Sequence, residues 1–221
     1  MLFRSGIVDE NGNIYINNDL LTVMTKLFLD SEIKRGRVVK KIGVPISARS
    51  EIEDLARYYN VELVYTKSTH ADMMAAATQE DIAFVGGTLG GAIFPDYFFA
   101  VDGMFTVAKT LEMLAVLGKD LGEVASDMPR NAQVRRDVNC PTEELGRVMR
   151  QAMDHSRDMR KILIDGIKFY PRADSDSWVL IIPEKDRPYC TVLADARDEK
   201  EATALADEYA SYVEAWRKAG G

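Results

Sequence analysis

The sequence predicts an α/β unit followed by a smaller α+β unit. In the first part, apolar stripes with helical spacing alternate with short β-branched runs, which is typical of an α/β layer with parallel strands. Beyond residue 137, consecutive strand-like runs are flanked by two helices. The 221 residues suffice for two units of roughly 100 residues, each with its own core.

The first part begins with a helix predicted over residues 19–34, whose apolar residues share one face and which Asn18 or Asp19 could cap. A strand is expected within 38–44, and Ser50–Glu53 has the pattern of a capping box that opens a second helix, to Tyr59. The remaining elements are a strand at 61–65, a helix at 70–78 capped by Thr69, a strand at 82–85 and a helix from Asp102 to Leu117 ended by Gly118.

The second part has a different pattern. Pro129 and the polar residues 130–137 form the best linker candidate, and Pro141 opens the next helix. Three strands without intervening helices are then predicted at 162–169, 178–182 and 191–196. A C-terminal helix with one apolar face completes a compact α+β unit.

Composition excludes several functional classes. Lys and Arg number 28 against 35 Asp and Glu, and the net charge of −7 opposes nucleic-acid binding. No apolar run approaches the ~18 residues of a membrane span, so no membrane association is expected. With only Cys140 and Cys190, no disulfide framework is expected, which fits a reducing cytoplasm. The two histidines, His70 and His155, offer little for a zinc site or a histidine-based triad.

The strongest local signal is a glycine-rich loop, Gly86-Gly87-Thr88-Leu89-Gly90-Gly91. Four glycines in six positions after a buried strand let the backbone turn freely or pass close to a ligand. Its spacing is not that of a dinucleotide-binding loop, because an apolar run and Pro95 separate it from the next helix. This pattern fits either a plain tight loop or a ligand-binding loop.

Two other patterns have structural explanations. Asp174–Ser177 imitates a cation loop, but it lacks the glycine and the closing glutamate of a calcium loop and is expected to be a hairpin turn. The ten methionines fall mainly at core-facing helix positions, such as Met24 and Met113.

Taken together, the order of these segments resembles domains three and four of the α-D-phosphohexomutases, the phosphomannomutase/phosphoglucomutase family. The resemblance covers nearly the whole chain. The matching segments are Val8–Gly12, Thr66-Lys67, Asp81–Phe94, Asp102-Gly103, Gly118–Leu121, Pro129, Asp165–Ile167, Trp178–Leu180 and Pro188–Ala196. The resemblance implies a mutase-type α/β domain with a mixed sheet, followed by a C-terminal domain like the TATA-box-binding protein.

The family uses four loops: a phosphoserine loop, an aspartate-rich magnesium loop, a sugar-gripping loop and an arginine-containing phosphate cradle. The resemblance places the first two outside this chain. The sugar loop corresponds to residues 86–92, where Thr88, Gly90 and Ala92 replace the family's glutamate, serine and histidine. The cradle corresponds to Ile182–Pro188, which places an isoleucine at the arginine position and adds two carboxylates. Carboxylates repel a phosphate dianion, so both substrate loops are expected to be degenerate.

The resemblance therefore implies a C-terminal fragment of a hexose-phosphate mutase of carbohydrate metabolism, inactive in isolation. Its domains would be a remnant at 1–12, a third mutase domain at 13–129, a linker at 130–136 and a fourth domain at 137–221. The alternative is a non-catalytic ligand-sensing or assembly module of a protein resembling mannose-1-phosphate guanylyltransferase, since such mutase-like regions resemble the C-terminal part of fused nucleotidyltransferases. We also expect Met1–Ser5 to be an artefact, with the natural reading frame continuing upstream.

Site and partner expectations follow from the same resemblance. No catalytic residue and no metal ligand is expected in this fragment, and magnesium is expected only for an intact parent mutase. The partners would be a hexose phosphate or a nucleotide sugar, the upstream domains of the parent chain and, in a homo-oligomer, a second copy. A ligand in a cleft between the domains would meet two sets of residues. They are Gly86, Gly87, Thr88, Gly90 and Gly91 on the sugar side, and Lys185 or Arg187 on the phosphate side.

Overall fold

The structure is a computed structural model that describes residues 5–126, 128, 130–184 and 186–218. The chain divides into two units, Met1–Pro129 and Arg130–Gly221, which we call the N-terminal unit and the C-terminal unit. Within the described residues, no helix is both long enough and apolar enough to cross a bilayer.

The N-terminal unit is an α/β layer around a four-stranded mixed sheet. The sheet has the order β4-β3-β5-β6, with β3, β4 and β5 parallel and β6 antiparallel to β5. The elements are β1 (Ile7–Val8), β2 (Ile14–Tyr15), α1 (Asn17–Lys34), β3 (Lys41–Pro45), α2 (Glu51–Tyr59), β4 (Glu62–Thr66), α3 (His70–Ala77), β5 (Ile82–Gly86), β6 (Ala92–Ile93), α4 (Gly103–Leu117) and α5 (Leu121–Ser126). The predicted alternation of strands and helices is confirmed.

The core of this unit forms where α1 packs against the sheet. Leu27 and Ile42 are fully buried, and the ring of Phe28 stacks on Phe84 with centroids 5.1 Å apart. Burying one such large apolar side chain contributes roughly 1.5–3 kcal/mol. A smaller cluster places Met73 of α3 against β5.

The residues predicted to cap α3 and to begin and end α4 do so in the structure. The Thr69 side chain accepts a hydrogen bond from the Asp72 amide at 3.1 Å and caps α3. Asp102 accepts from the Phe105 amide at 2.7 Å, and Gly118 ends α4 with a φ of +65°.

The caps predicted for α1 and α2 are wrong. Helix α1 begins at Asn17, two residues earlier than expected, so Asn18 and Asp19 lie inside the helix. Asp19 pairs with Arg49 at 2.5 Å. Ser50 precedes α2 but adopts helical backbone angles, which do not give the extended geometry that a capping side chain needs. Glu53, the other half of the expected box, accepts a hydrogen bond from the Tyr65 hydroxyl at 2.5 Å.

The C-terminal unit has the α+β architecture that the sequence predicts. Its five strands are antiparallel neighbours in the order β7-β11-β10-β9-β8. The elements are β7 (Ala132–Asn139), α6 (Thr142–His155), β8 (Lys161–Ile162), β9 (Ile167–Phe169), β10 (Trp178–Pro183), β11 (Tyr189–Ala196) and α7 (Glu199–Lys218). The single strand expected at 162–169 is a β8–β9 hairpin, which turns at Asp165 with a φ of +58°.

The polar stretch expected as a linker is a strand from Ala132 onward. Strand β7 lies at the edge of the sheet and pairs along its whole length with β11. Edge strands carry charged side chains more readily than central ones, which explains why Arg135, Arg136 and Asp137 resemble a linker in the sequence. Inward-facing Val138 joins the core that α6 and α7 form with β10 and β11.

Candidate functional site

The glycine-rich loop connects β5 to β6 as a tight hairpin. Gly86 pairs with Ala92, the Gly87 amide donates to the Gly91 carbonyl at 2.8 Å, and the Gly90 amide donates to the Gly87 carbonyl at 3.1 Å. These two amides are therefore already satisfied inside the loop. A ligand would meet a closed backbone turn in which neither of these two amides is free.

Packing explains why two of these positions are glycine. Gly90 has a φ of +91°, and a Cβ there would lie 2.4 Å from the Ser5 carbonyl oxygen. A Cβ on Gly86 would lie 2.3 Å from Cδ1 of the buried Leu21. The glycines are thus required by the fold whether or not a ligand binds.

The side chains at the tip of the loop offer little polar chemistry. Thr88 is half-buried, and its hydroxyl has no hydrogen-bond partner within the described part of the chain. Leu89 next to it is 43% exposed. Thr88 is the one side-chain hydroxyl that residues 86–91 could offer to a sugar.

A cavity of about 450 Å³ lies beneath this loop, between α4 and the β1–β2 hairpin. Its size is within the range of small-molecule sites. None of the described residues that line it is Lys, Arg or His, whereas Asp9, Glu10 and Asp120 are acidic. The hydroxyls of Thr106 and Thr110 bond to helix carbonyls at 2.6 and 2.7 Å. This cavity does not suit a phosphate dianion.

The hydrogen bonds of the Asp9 carboxylate stabilise the β1–β2 hairpin rather than bind a ligand. Its carboxylate accepts hydrogen bonds from the Asn11 and Asn13 amides, the Asn13 side chain and the Tyr15 hydroxyl, all within 3.0 Å. Burial raises the pKa of this carboxyl, but the hydrogen bonds outweigh that effect and hold the pKa below its ordinary value.

In the C-terminal unit, the segment Ile182–Pro188 joins β10 to β11. Ile182 pairs with Thr191 in the ladder, and its hydrocarbon side chain offers a phosphate no charge. Arg187 is exposed and donates to the Tyr189 hydroxyl at 2.9 Å. Lys185, the other predicted phosphate contact, lies outside the described residues.

A charged network lies next to this segment, on neighbouring strands of the sheet. The buried Thr191 hydroxyl lies 2.8 Å from the Asp137 carboxylate and 3.0 Å from that of Glu184. The Arg135 guanidinium donates to Asp137 at 2.8 Å and lies 3.7 Å from Glu184. The hydrogen bond to Tyr189, and then the nearby Glu184 and Asp137 carboxylates, raise the pKa of Arg187. Two arginines thus lie beside two carboxylates, and the charges of the network balance.

Sequence reasoning did not identify this network. Thr191 and Asp137 are 54 positions apart and meet only because β7 pairs with β11 in this register. The alternation of polar residues in 132–139 was the available signal, since it has the period of a strand with one solvated face.

Within the part of the chain that the structure describes, the other nucleophilic and metal-ligating groups do not form a catalytic constellation. Burial raises the pKa of the Cys190 thiol to about 12, and burial also raises the pKa of Cys140. Both thiols are therefore unreactive near neutral pH. No group of three or more His, Cys, Asp or Glu side chains within the described ranges could hold a metal ion. These residues do not fit the magnesium that the family implies.

Apart from Lys185, the structure describes all the predicted site residues, each within its own unit. The five loop residues on the sugar side lie together in one hairpin of the N-terminal unit. Arg187 lies in the C-terminal unit, beside the network of Glu184, Thr191, Arg135 and Asp137.

Comparison with known protein families decides the assignment. Residues 17–131, just over half of the chain, match the model described as phosphoglucomutase/phosphomannomutase, alpha/beta/alpha domain III. The chain belongs to this family. The phosphohexomutase fold is also found in a phosphoglucomutase/phosphomannomutase family protein from Burkholderia thailandensis, with a TM-score of 0.76 at 17% identity. That match covers 97% of this chain and 45% of the other.

Relatives in sequence are phosphoglucosamine mutases. The probable phosphoglucosamine mutase of Methanopyrus kandleri is 29% identical over 212 residues, which cover 95% of this chain and 45% of that protein. The phosphoglucosamine/phosphogalactosamine mutase of Sulfurisphaera tokodaii is 26% identical over 215 residues, with 96% and 46% covered. The N-acetylphosphoglucosamine mutase of Aspergillus fumigatus, solved with GlcNAc-6P and magnesium, has a TM-score of 0.65 at 13% identity over 94% of this chain and 49% of that one. The chain spans about half the length of the relatives it matches.

Proposed function

We propose that this chain supplies the third and fourth domains of a hexose-phosphate mutase-type protein and does not catalyse phosphoryl transfer by itself. The match of residues 17–131 to the family's third domain carries this proposal. The reaction needs a group that exchanges the phosphoryl moiety and groups that neutralise its charge. The described residues offer neither an activated nucleophile nor a metal-binding cluster.

The substrate class would be a hexose or hexosamine phosphate, because the relatives in sequence are named phosphoglucosamine mutases. Thr88 would offer its hydroxyl to the sugar, and Arg187 with Lys185 would face the phosphate. The network around Glu184 supports weak binding, since Glu184 and Asp137 already face the arginines that a phosphate would need.

A coupled mutase assay tests the proposed lack of turnover. The chain would be given glucosamine 6-phosphate or mannose 6-phosphate, magnesium and the matching sugar bisphosphate as activator. We expect no turnover above the protein-free control, with the Methanopyrus kandleri relative as the positive control for the assay. Turnover by the purified chain would refute the proposal.

A second candidate is an assembly or ligand-sensing module of a fused sugar-1-phosphate nucleotidyltransferase. The exposed apolar face of α4, with Met104 87% exposed and Leu111 63% exposed, favours an assembly role. Calorimetric titration with GDP-mannose and mannose 1-phosphate separates the versions of this candidate. Binding of the nucleotide sugar would support a ligand-sensing role. If neither ligand binds, assembly remains as the role of this candidate.

A further inference from the structure

A second cavity of the N-terminal unit, of about 680 Å³, lies between α1, α2 and the C-terminal end of α4. Its volume is within the range of small-molecule sites. Leu21 near the start of α1 lies against Gly86, whereas Lys34 at the end of α1 lines this cavity. These two residues are 13 positions apart on one helix, which is about 20 Å. The cavity is therefore a separate feature from the glycine loop.

One wall of the cavity carries a hydrogen-bonded group centred on Asp30. Its carboxylate pairs with the Lys26 ammonium at 2.5 Å and accepts a hydrogen bond from the Tyr59 hydroxyl. Burial, and then the hydrogen bond to Asp30, raise the pKa of the Tyr59 hydroxyl, so this hydroxyl stays protonated and keeps donating near neutral pH. Asp30 is therefore held by two donors of this chain.

The other two carboxylates of the lining also have partners. Glu51 is 2% exposed and accepts a hydrogen bond from the Thr22 hydroxyl at 3.2 Å. Asp54 pairs with Arg57 on the next turn of α2. Because donors of the chain itself engage these carboxylates, their repulsion of an anion is weakened.

Two lysine ammonium groups of the same lining have no such partner. Lys34 and Lys119 are exposed, and neither has a hydrogen bond or an ion pair with any residue that the structure describes. By contrast, Arg35 pairs with Glu32 at 3.1 Å and with Glu112 at 2.5 Å. A lysine ammonium binds phosphate as a point charge, so these two lysines are available to a phosphate group.

An aromatic ring lies open at the same cavity. Tyr58 is 81% exposed, and its ring stands at 85° to that of Tyr59 with the centroids 4.9 Å apart. Ile33, which is 58% exposed, adds apolar surface to the lining. A tyrosine ring that is supported by a neighbouring ring and open to solvent can stack on a planar base.

We propose that this cavity binds a nucleoside phosphate, whose base stacks on Tyr58 and whose phosphate pairs with Lys34 and Lys119. Both parts of the ligand are needed, because a hexose phosphate has the anion but no planar ring for Tyr58. The site does not rest on the proposed mutase function, since no described residue of the glycine loop or of Ile182–Pro188 lines it. Nucleotide binding at this cavity is therefore independent of turnover.

An NMR titration of the whole chain with AMP tests this site. We expect a dissociation constant below about 1 mM, with shift changes at Lys34, Tyr58 and Lys119 and none at residues 86–91. Adenosine and inorganic phosphate each supply half of the ligand and should bind at least about tenfold more weakly. The proposal is wrong if AMP leaves these three residues unchanged or shifts the glycine loop instead. Equal affinity for glucosamine 6-phosphate and AMP would also overturn it, because the ring would then contribute nothing.

Variants of exposed residues separate stacking from general attraction of an anion. Tyr58→Leu should weaken AMP binding by about fivefold to a hundredfold, whereas Tyr58→Phe keeps the ring and should keep the affinity. Lys34→Ala should weaken binding about threefold. Lys40→Ala is the control, because Lys40 pairs with Asp81 at 3.0 Å and does not line the cavity, and it should change nothing. All four variants should keep the unfolding midpoint of the parent chain. Full affinity in Tyr58→Leu, or equal losses in Lys34→Ala and Lys40→Ala, would overturn the proposal.

Discussion

The glycine loop of the N-terminal unit and the segment Ile182–Pro188 of the C-terminal unit, which we propose as counterparts of two substrate loops of the family, are constrained by different physics. In the glycine loop, backbone angles and close packing at Gly86 and Gly90 determine the residues. Beside the second segment, paired charges on neighbouring strands determine them. Backbone geometry and packing thus maintain the glycine loop, whereas the surroundings of the second segment depend on paired charges from neighbouring strands.

The largest expected effect comes from breaking the glycine loop. Gly90→Ala combines a φ of +91° with a Cβ position 2.4 Å from the Ser5 carbonyl oxygen. We expect a loss of about 2–3 kcal/mol in the free energy of unfolding of the N-terminal unit, measured by urea denaturation.

Gly103→Ala is the matched control, because nothing lies within 4 Å of its Cβ position and it opens a regular helix. This variant should be as stable as the parent or slightly more stable. Equal stability of Gly90→Ala and Gly103→Ala would show that packing does not require the loop glycine.

A smaller loss is expected from the charged network. Thr191→Val keeps the shape of a residue that is 1% exposed but removes the hydroxyl shared by Asp137 and Glu184. We expect the C-terminal unit to lose about 1–2 kcal/mol, since two carboxylates lose a hydrogen-bonding group. Thr191→Ser, which keeps the hydroxyl, should lose clearly less. If both variants unfold at the same urea concentration, the network does not stabilise the unit.

A still smaller effect is expected on anion binding. Glu184→Gln removes one of the two carboxylates beside Arg135 and Arg187 and leaves the network with a net positive charge. Because the pairs are partly exposed, affinity for inorganic phosphate should rise by no more than about fivefold, and salt should abolish the gain. Phosphate titration followed by NMR measures this change. Asp174→Asn, an exposed carboxylate on another loop, is the control and should change nothing.

The fold was predictable wherever a local signal decided the structure. Asp102 and Gly118 delimit α4 through hydrogen bonds and backbone angles that depend only on neighbouring residues. Asp19 was misjudged as a cap because its ion pair with Arg49, 30 positions away, competes with local capping. Strand β7 was mistaken for a linker because its charges are those of a sheet edge, which the sequence does not reveal.

The candidate site, too, could be predicted only where residues close in sequence determine the structure. The glycine loop was located from the sequence because its pattern is contiguous, although the structure shows that its amides at Gly87 and Gly90 are satisfied internally. The contacts of Glu184 with Thr191 and Arg135 depend on the pairing of three strands and could not be derived from spacing. The pairing of strands that are distant in sequence thus determines which charged groups lie together, and the sequence pattern does not show this pairing.

The central claim is that the mutase fold is retained while the two substrate loops hold a phosphosugar only weakly. Isothermal titration of glucosamine 1-phosphate into the parent chain and into Arg187→Ala, at low ionic strength, tests it most directly. We predict dissociation constants weaker than about 1 mM for both proteins, without a difference between them. Micromolar binding by the parent chain that Arg187→Ala abolishes would contradict the account.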